Sequence, residues 1–180
     1  TDHDALTNSQ VGAILKDTRG YIWFGTQSGL CRFDGFRMKT FYYINTDDKS
    51  LPNNSVDELQ QDYGGNIWVH TSVGYCIYKY DEEQFERKPE EWLKNIHVQG
   101  PPYKLLIDKD KNMWIAVYGQ GLYYHNAKTK NTYLFKFTKK AQPGCLKEGN
   151  ISKITEVDGD ALITYGDGTI CRVNGQKQKV

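Results

Sequence analysis

The sequence has no excess of either charge: 23 Lys plus Arg stand against 22 Asp plus Glu. Such a balance supplies no large single-sign field, which argues against a nucleic-acid backbone or an anionic membrane surface as partner. Long apolar runs are missing as well, since none approaches the ~20 residues needed to cross a bilayer, and no basic-then-apolar leader opens the chain. The expectation is a soluble piece, tied to a membrane only through parts of a longer protein. Leu- and Ala-rich stretches of helical length are also scarce. In their place come 13 Tyr, 7 Phe, 4 Trp and 17 Gly, a composition that favours short strands joined by tight turns. With 180 residues the chain has room for one ordinary domain or two small ones, burying roughly 70% of its extended surface.

Internal repetition organises the chain. Asp17-Thr-Arg-Gly20-Tyr-Ile-Trp23-Phe-Gly-Thr26-Gln-Ser-Gly29-Leu-Cys31 returns as Asp62-Tyr-Gly-Gly65-Asn-Ile-Trp68-Val-His-Thr71-Ser-Val-Gly74-Tyr-Cys76. A third copy runs from Asp108 through Lys111, Trp114 and Gly121 to Tyr123, with Lys111 in the place of Gly and one extra residue in its middle turn. A fourth, weaker copy runs from Glu156 through Gly159 and Leu162 to Cys171. The Trp positions are 45 and 46 residues apart, and Leu162 follows Trp114 by 48. That is the period of a propeller blade.

One copy reads as four strands: Val11 to Leu15, Tyr21 to Thr26, Leu30 to Phe33, and Phe36 to Phe41 after the hairpin signal Asp34-Gly35. The Asp17 turn has an Asp able to accept turn amides and a Gly able to take positive φ. Asn174-Gly175 stands where Asp34-Gly35 does, so residues 176 to 180 are expected to complete the last strand. The predicted fold is all-β: a β-propeller of four four-stranded antiparallel blades, about 9–44, 54–88, 102–138 and 150–180, within one domain spanning 1–180. Four blades make part of a larger, about seven-bladed ring.

The string Asp-x-x-Gly-x-Ile-Trp-x-Gly-Thr-x-x-Gly-Leu, followed by Arg32-Phe33-Asp34-Gly35, resembles the two-component regulator propeller repeat. The run Tyr21 to Phe36 is similar to that family's first blade, and Ser50-Leu51-Pro52-Asn53-Asn54-Ser55-Val56 to its passage into the second. The resemblance implies the N-terminal periplasmic sensor of a hybrid two-component system, detecting an oligosaccharide and signalling to a histidine kinase elsewhere in the protein. It thins toward the C-terminus: His70 replaces a motif Gly, the third copy lacks Gly-Thr after Trp114, and the fourth lacks both Asp and Trp. Nothing in these residues resembles a kinase, and no enzyme activity is expected of this chain.

Most recurring residues have structural readings. Trp23, Trp68 and Trp114 are expected to pack between neighbouring blades. Asp17, Asp62 and Asp108 read as turn caps rather than as a carboxylate ring, with Gly20, Gly29, Gly65, Gly74 and Gly121 at turns. Asp108-Lys-Asp110-Lys-Asn112 mimics the opening of a calcium loop but has Met113 and Gly119 where the sharp-turn Gly and bidentate Glu belong. His3, His70, His97 and His125 lack the close pairing of a zinc site. Neither cofactor nor metal is expected. Cys31, Cys76 and Cys171 share one repeat position, with Tyr123 in the third copy; sheets of successive blades lie about 10 Å apart, too far for disulfides, so these cysteines read as small buried hydrophobes. Cys145, in a Pro-Gly turn, is expected to be the exposed thiol.

Ligand recognition is the functional expectation. In a propeller the second-to-third-strand turns and the blade connections share one face, where Gln27, Ser28, Ser72, Tyr118, Gln120 and Asp167 would line a common surface. Trp92, outside the repeated Trp position, offers a ring for sugar stacking or partner contact, or anchors a blade connection. An arc of blades also exposes two apolar faces, which predicts self-association. A protein-interaction scaffold and a propeller-type glycan lyase or glycosidase are the alternatives. The last requires convergent carboxylates or a Tyr/His pair, which spacing does not reveal.

Overall fold

The computed structural model describes residues 10–139 and 145–180. His3, residue 9 at the expected start of the first blade, and Pro143-Gly144 lie outside them. The chain divides into two compact units, Thr1–Pro89 and Glu90–Val180.

The first unit holds two four-stranded antiparallel sheets in simple meander order. Sheet one comprises β1 (Val11–Lys16), β2 (Ile22–Thr26), β3 (Gly29–Phe33) and β4 (Met38–Phe41). Sheet two comprises β5 (Val56–Gln61), β6 (Ile67–Thr71), β7 (Gly74–Lys79) and β8 (Gln84–Glu86). Their facing sides share a core of Trp23, Leu30, Leu51, Val56, Ile67, Val69, Cys76, Tyr78 and Phe85. Trp23 is fully buried, with Tyr78 and Phe41 at ring-centroid distances of 5.0 and 5.9 Å. Aromatic edges against the indole fill the wedge between two twisted sheets.

The second unit opens with the greater part of a short helix, α1 (Pro89–Leu93), and a 3-10 turn, Lys94–Ile96. Leu93, Ile96 and Val98 are buried and anchor this connection, while Trp92 is half-buried rather than presented as an open ring. Sheet three follows with β9 (Pro102–Ile107), β10 (Met113–Val117), β11 (Gly121–His125) and β12 (Thr132–Thr138). A two-residue strand, β13 (Leu146–Lys147), adds to β12 in parallel, so this sheet has five strands rather than four. Sheet four has three: β14 (Ile151–Val157), β15 (Asp160–Tyr165) and β16 (Ile170–Val173). Trp114, Leu122, Tyr124 and Phe135 pack against Ile154, Ile163, Tyr165 and Val173.

Two hairpins differ from the sequence expectation for the same reason. Asp34 Oδ1 accepts the amides of Phe36 and Arg37 at 2.8 and 2.7 Å, stretching the turn to four residues. The strand therefore begins at Met38, and Phe36 is left 90% exposed. Asn174 Oδ1 likewise accepts the Lys177 amide at 2.6 Å, and pairing resumes only at the Asn174–Lys179 bridge. Residues 176 to 180 are thus mostly turn, and a fourth strand does not form within them.

All four sheets share one irregularity. The first strand of each carries one residue more than its partner near its start: Gly12, Asp57, Tyr103 and Ser152. A bulge of this kind bends the strand and redirects a side chain. It survives in the fourth copy, where the Trp does not.

Candidate functional site

The recurring aspartates are built into the turns. Asp17 Oδ1 accepts the amides of Arg19 and Tyr21, and Oδ2 accepts the Trp23 indole N–H at 2.7 Å. Asp62 does the same for Gly64, Asn66 and Trp68, and Asp108 for Asp110, Asn112 and Trp114. Both oxygens of each carboxylate are occupied by N–H donors, a geometry that serves the fold rather than metal or proton chemistry. Among the described residues no group of three or more His, Cys, Asp and Glu side chains is arranged to hold a metal ion.

In the first unit, the end bearing the β2–β3 and β6–β7 turns brings three of the expected ligand residues together through Ser55. Ser55 Oγ donates to Gln27 Oε1 at 2.8 Å, and the Ser72 amide donates to the Ser55 carbonyl at 3.2 Å. Ser28 sits in the same turn as Gln27, its amide on Thr26 Oγ1. Beside them lies a group that motif spacing did not flag. Asp57, the bulge residue, meets His70 Nδ1 at 2.5 Å; the His70 ring lies 4.5 Å from Tyr75, whose hydroxyl donates to Glu58 at 3.0 Å. The only trace of this cluster in the sequence is His70 standing where the repeat has Gly. Tyr75 is buried and its hydroxyl is committed to Glu58, so the phenol is poorly placed to give up a proton to a bound sugar.

In the second unit, the corresponding end carries Tyr118, Gln120 and Asp167. Tyr118 is 67% exposed and stacks at 4.0 Å on Tyr103, the bulge residue, whose hydroxyl accepts the Ile151 amide. Gln120 is committed to structure, its Nε2 on the Gln99 carbonyl and its Oε1 receiving the Tyr123 hydroxyl. Asp167 pairs with Lys147 and accepts the Thr169 amide, which together hold its carboxyl well below the usual range. Of these three, Tyr118 alone presents a broad free face.

A further hollow of the second unit lies at the opposite end of the sheets. A cavity of about 670 Å³ opens between the β9–β10 turn, the β11–β12 turn and the 174–179 turn. Its floor is Tyr124, buried and tilted against Trp114 at 4.5 Å, and its walls include Asn126, Asn131, Tyr133, Gln176 and Gln178. Burial pushes the Tyr124 hydroxyl up, so it stays a neutral phenol. Sequence reasoning missed this site because its exposed polar residues come mainly from the β11–β12 and 174–179 turns, outside the recurring Asp-turn motif. The run Asn126-Ala-Lys-Thr-Lys-Asn131, peculiar to the third copy, was the available signal.

The cysteines are free thiols. Cys31 and Cys76 are fully buried, and burial drives the Cys76 thiol far up. Cys145 and Cys171 are both half-buried, so Cys145 is not the sole accessible thiol, because the face of sheet four that holds Cys171 is incompletely covered.

Comparison with known proteins now adds to this geometry. Residues 5–28 match the family model described as two component regulator propeller. Comparison with curated proteins gave no match. Among solved structures, an extracellular domain assigned to the hybrid two component system BT3049 of B. thetaiotaomicron aligns over 96% of this chain and 24% of its own, with 23% identity and a TM-score of 0.65. One assigned to the one component system BT4673 of the same organism aligns over 94% of this chain and 24% of its own, with 17% identity and a TM-score of 0.58. The computationally designed Ika4 protein aligns over 97% of this chain and 98% of its own, with 12% identity and a TM-score of 0.50. The chain thus spans about a quarter of the length of the extracellular domains it matches. Residues 5–28 thus match the two-component regulator propeller repeat, and the chain's antiparallel sheets share their fold with parts of larger extracellular domains.

Proposed function

We propose that the chain is part of an extracytoplasmic sensor that detects an oligosaccharide and passes the signal to a histidine kinase in the longer protein. The observation that carries this reading is the joint one: a two-component regulator propeller repeat at residues 5–28, in a fold shared with extracellular domains assigned to signalling systems. Polar surfaces with aromatic faces and no cluster of one charge sign, at Tyr118–Tyr103 and around Tyr124–Tyr133, suit a neutral sugar better than a lipid or a nucleic acid. Thermal-shift screening of neutral, uronic and sulfated oligosaccharides against a protein containing every blade tests it. Stabilisation by a sugar is expected; no shift with any sugar, alongside capture of a protein partner by the same array, would move the assignment to an interaction scaffold.

Self-association belongs to the same proposal. It is supported by the face of sheet one turned away from Trp23, where Ile22, Phe24, Phe33 and Met38 are only half-buried. A strict monomer in light scattering removes it. The lyase reading gains a His70–Tyr75 pair from the structure but loses it again to the Tyr75–Glu58 bond.

A further inference from the structure

We infer that the cavity over Tyr124 is a binding site for a small uncharged polyhydroxylated ligand, and that its occupant ties the 174–179 turn of sheet four to the β11–β12 turn of sheet three. The inference rests on the sensor reading above and gives it a location. That location lies at the end of the sheets away from the β10–β11 turn, where the residues expected from the sequence sit.

The cavity has the volume of a small-ligand site, about 670 Å³. Its wall chemistry narrows the class. Asp110 and Lys128 are the charged residues of its lining, so the walls hold no cluster of one sign to recognise a phosphate or a polycation. What remains is hydroxyl and carboxamide. Asn126 is spent on the fold: its Oδ1 accepts the Lys128 and Thr129 amides and its Nδ2 reaches the Tyr124 hydroxyl. Asn131 and Gln178 are different. Both are exposed at the mouth, and neither side chain makes a hydrogen bond among the described residues, so each keeps a donor and an acceptor for a ligand. Paired donor and acceptor groups beside tyrosine faces match vicinal hydroxyls and the C–H face of a sugar ring.

The coupling follows from Gly175. A Cβ at this position would sit 2.5 Å from the Tyr124 ring, so the turn lies directly on the cavity floor. Asn131 comes from the β11–β12 turn of sheet three and Gln178 from the turn after β16 of sheet four. A ligand held by both joins the two sheets of this unit and fixes the path by which the backbone leaves β16.

The test is titration calorimetry of the intact chain with cellotriose, xylotriose, mannotriose, a galacturonic acid disaccharide and triglycine, followed by hydrogen exchange with the tightest binder. A neutral trisaccharide should bind and slow exchange at both 126–131 and 174–179. The double variant Asn131→Ala/Gln178→Ala should lose about tenfold in affinity with an unchanged melting temperature, since two hydrogen bonds to the ligand disappear and none within the protein. Equal affinity in the double variant, or protection at Tyr118 instead, overturns the site while leaving the sensor reading intact. Binding of the uronate or the peptide in preference overturns the ligand class. No binding of any sugar by this chain removes the site, while the sugar-sensing reading is decided separately by the screen on the protein containing every blade.

Discussion

The indole N–H of Trp23 donates to Asp17 Oδ2, six residues earlier, at 2.7 Å, while Oδ1 of the same carboxylate holds the turn between them. Tyr80, in the turn between β7 and β8, donates to the same Oδ2. One buried side chain therefore closes a turn, orients the ring that fills the inter-sheet wedge and receives a bond from a turn of the next sheet. Trp68–Asp62 and Trp114–Asp108 repeat the first two of these contacts at 3.0 and 3.2 Å.

Asp62→Ala should destabilise the protein by about 2–4 kcal/mol, because it strips a charged acceptor from buried donors in a turn and leaves the Trp68 N–H without its partner. Asp62→Asn should cost less, since its carbonyl can still serve the turn amides. Urea unfolding followed by Trp fluorescence measures both. A loss under about 0.5 kcal/mol for the alanine variant would show that this carboxylate does little for stability.

Lys111 adopts φ +65° where the first two copies have Gly20 and Gly65. Lys111→Gly should therefore be close to neutral, within about 1 kcal/mol, because relief of left-handed strain offsets the added freedom of the unfolded chain. Gly121→Ala should be severe, about 3 kcal/mol or more, since its Cβ would collide with the Phe135 carbonyl at φ +145°. Paired thermal melts separate the two outcomes.

Acid should weaken the fold in two stages. Burial, with Lys130 and His97 adding to it, lowers the His125 pKa below 6.5, so the unfolded chain takes up a proton first and stability falls as pH drops below about 6.5. Glu83 is depressed by its hydrogen bond to Lys39 and then by Arg32, and Glu156 by the Lys109 amide and then its ammonium. Their contributions are complete above about 4.5 and disappear as pH falls through the depressed folded values. Urea midpoints from pH 8 to 3 should show both slopes. His125→Gln should flatten only the upper one, and 1 M salt should reduce the lower one.

Thiol accessibility should split two and two. In the native protein Cys145 and Cys171 should react with a chromogenic disulfide at pH 8, Cys171 more slowly because burial raises its thiol, while Cys31 and Cys76 react only after unfolding. Four fast thiols would contradict the packing described.

Four copies were legible from Trp23, Trp68, Trp114 and the Leu162 that follows them, because three carry one large ring and one capped turn at a fixed interval and the fourth keeps the interval with Leu162. The meander order came with them, since turns of a few residues can only join antiparallel neighbours. The strand ends after Asp34 and Asn174 did not, because a side-chain bond to a backbone amide, rather than an Asp-Gly or Asn-Gly pair, sets the length of those turns.

The candidate sites were harder to read. Gln27 and Gln120 lie in the expected turns, yet a polar residue in a turn can bind the protein as readily as a ligand, and only the bonds to Ser55, Gln99 and Tyr123 show which it does. The sequence by itself determined the blade period, the all-β class, the turn aspartates and the buried indoles, since each follows from local pattern. The tertiary structure decided the Asp57–His70 pair, the Tyr103–Tyr118 stack and the cavity over Tyr124, because those join residues from different strands, turns or sheets, whose meeting depends on register, bulges and the contact of one turn with a ring far away in the chain.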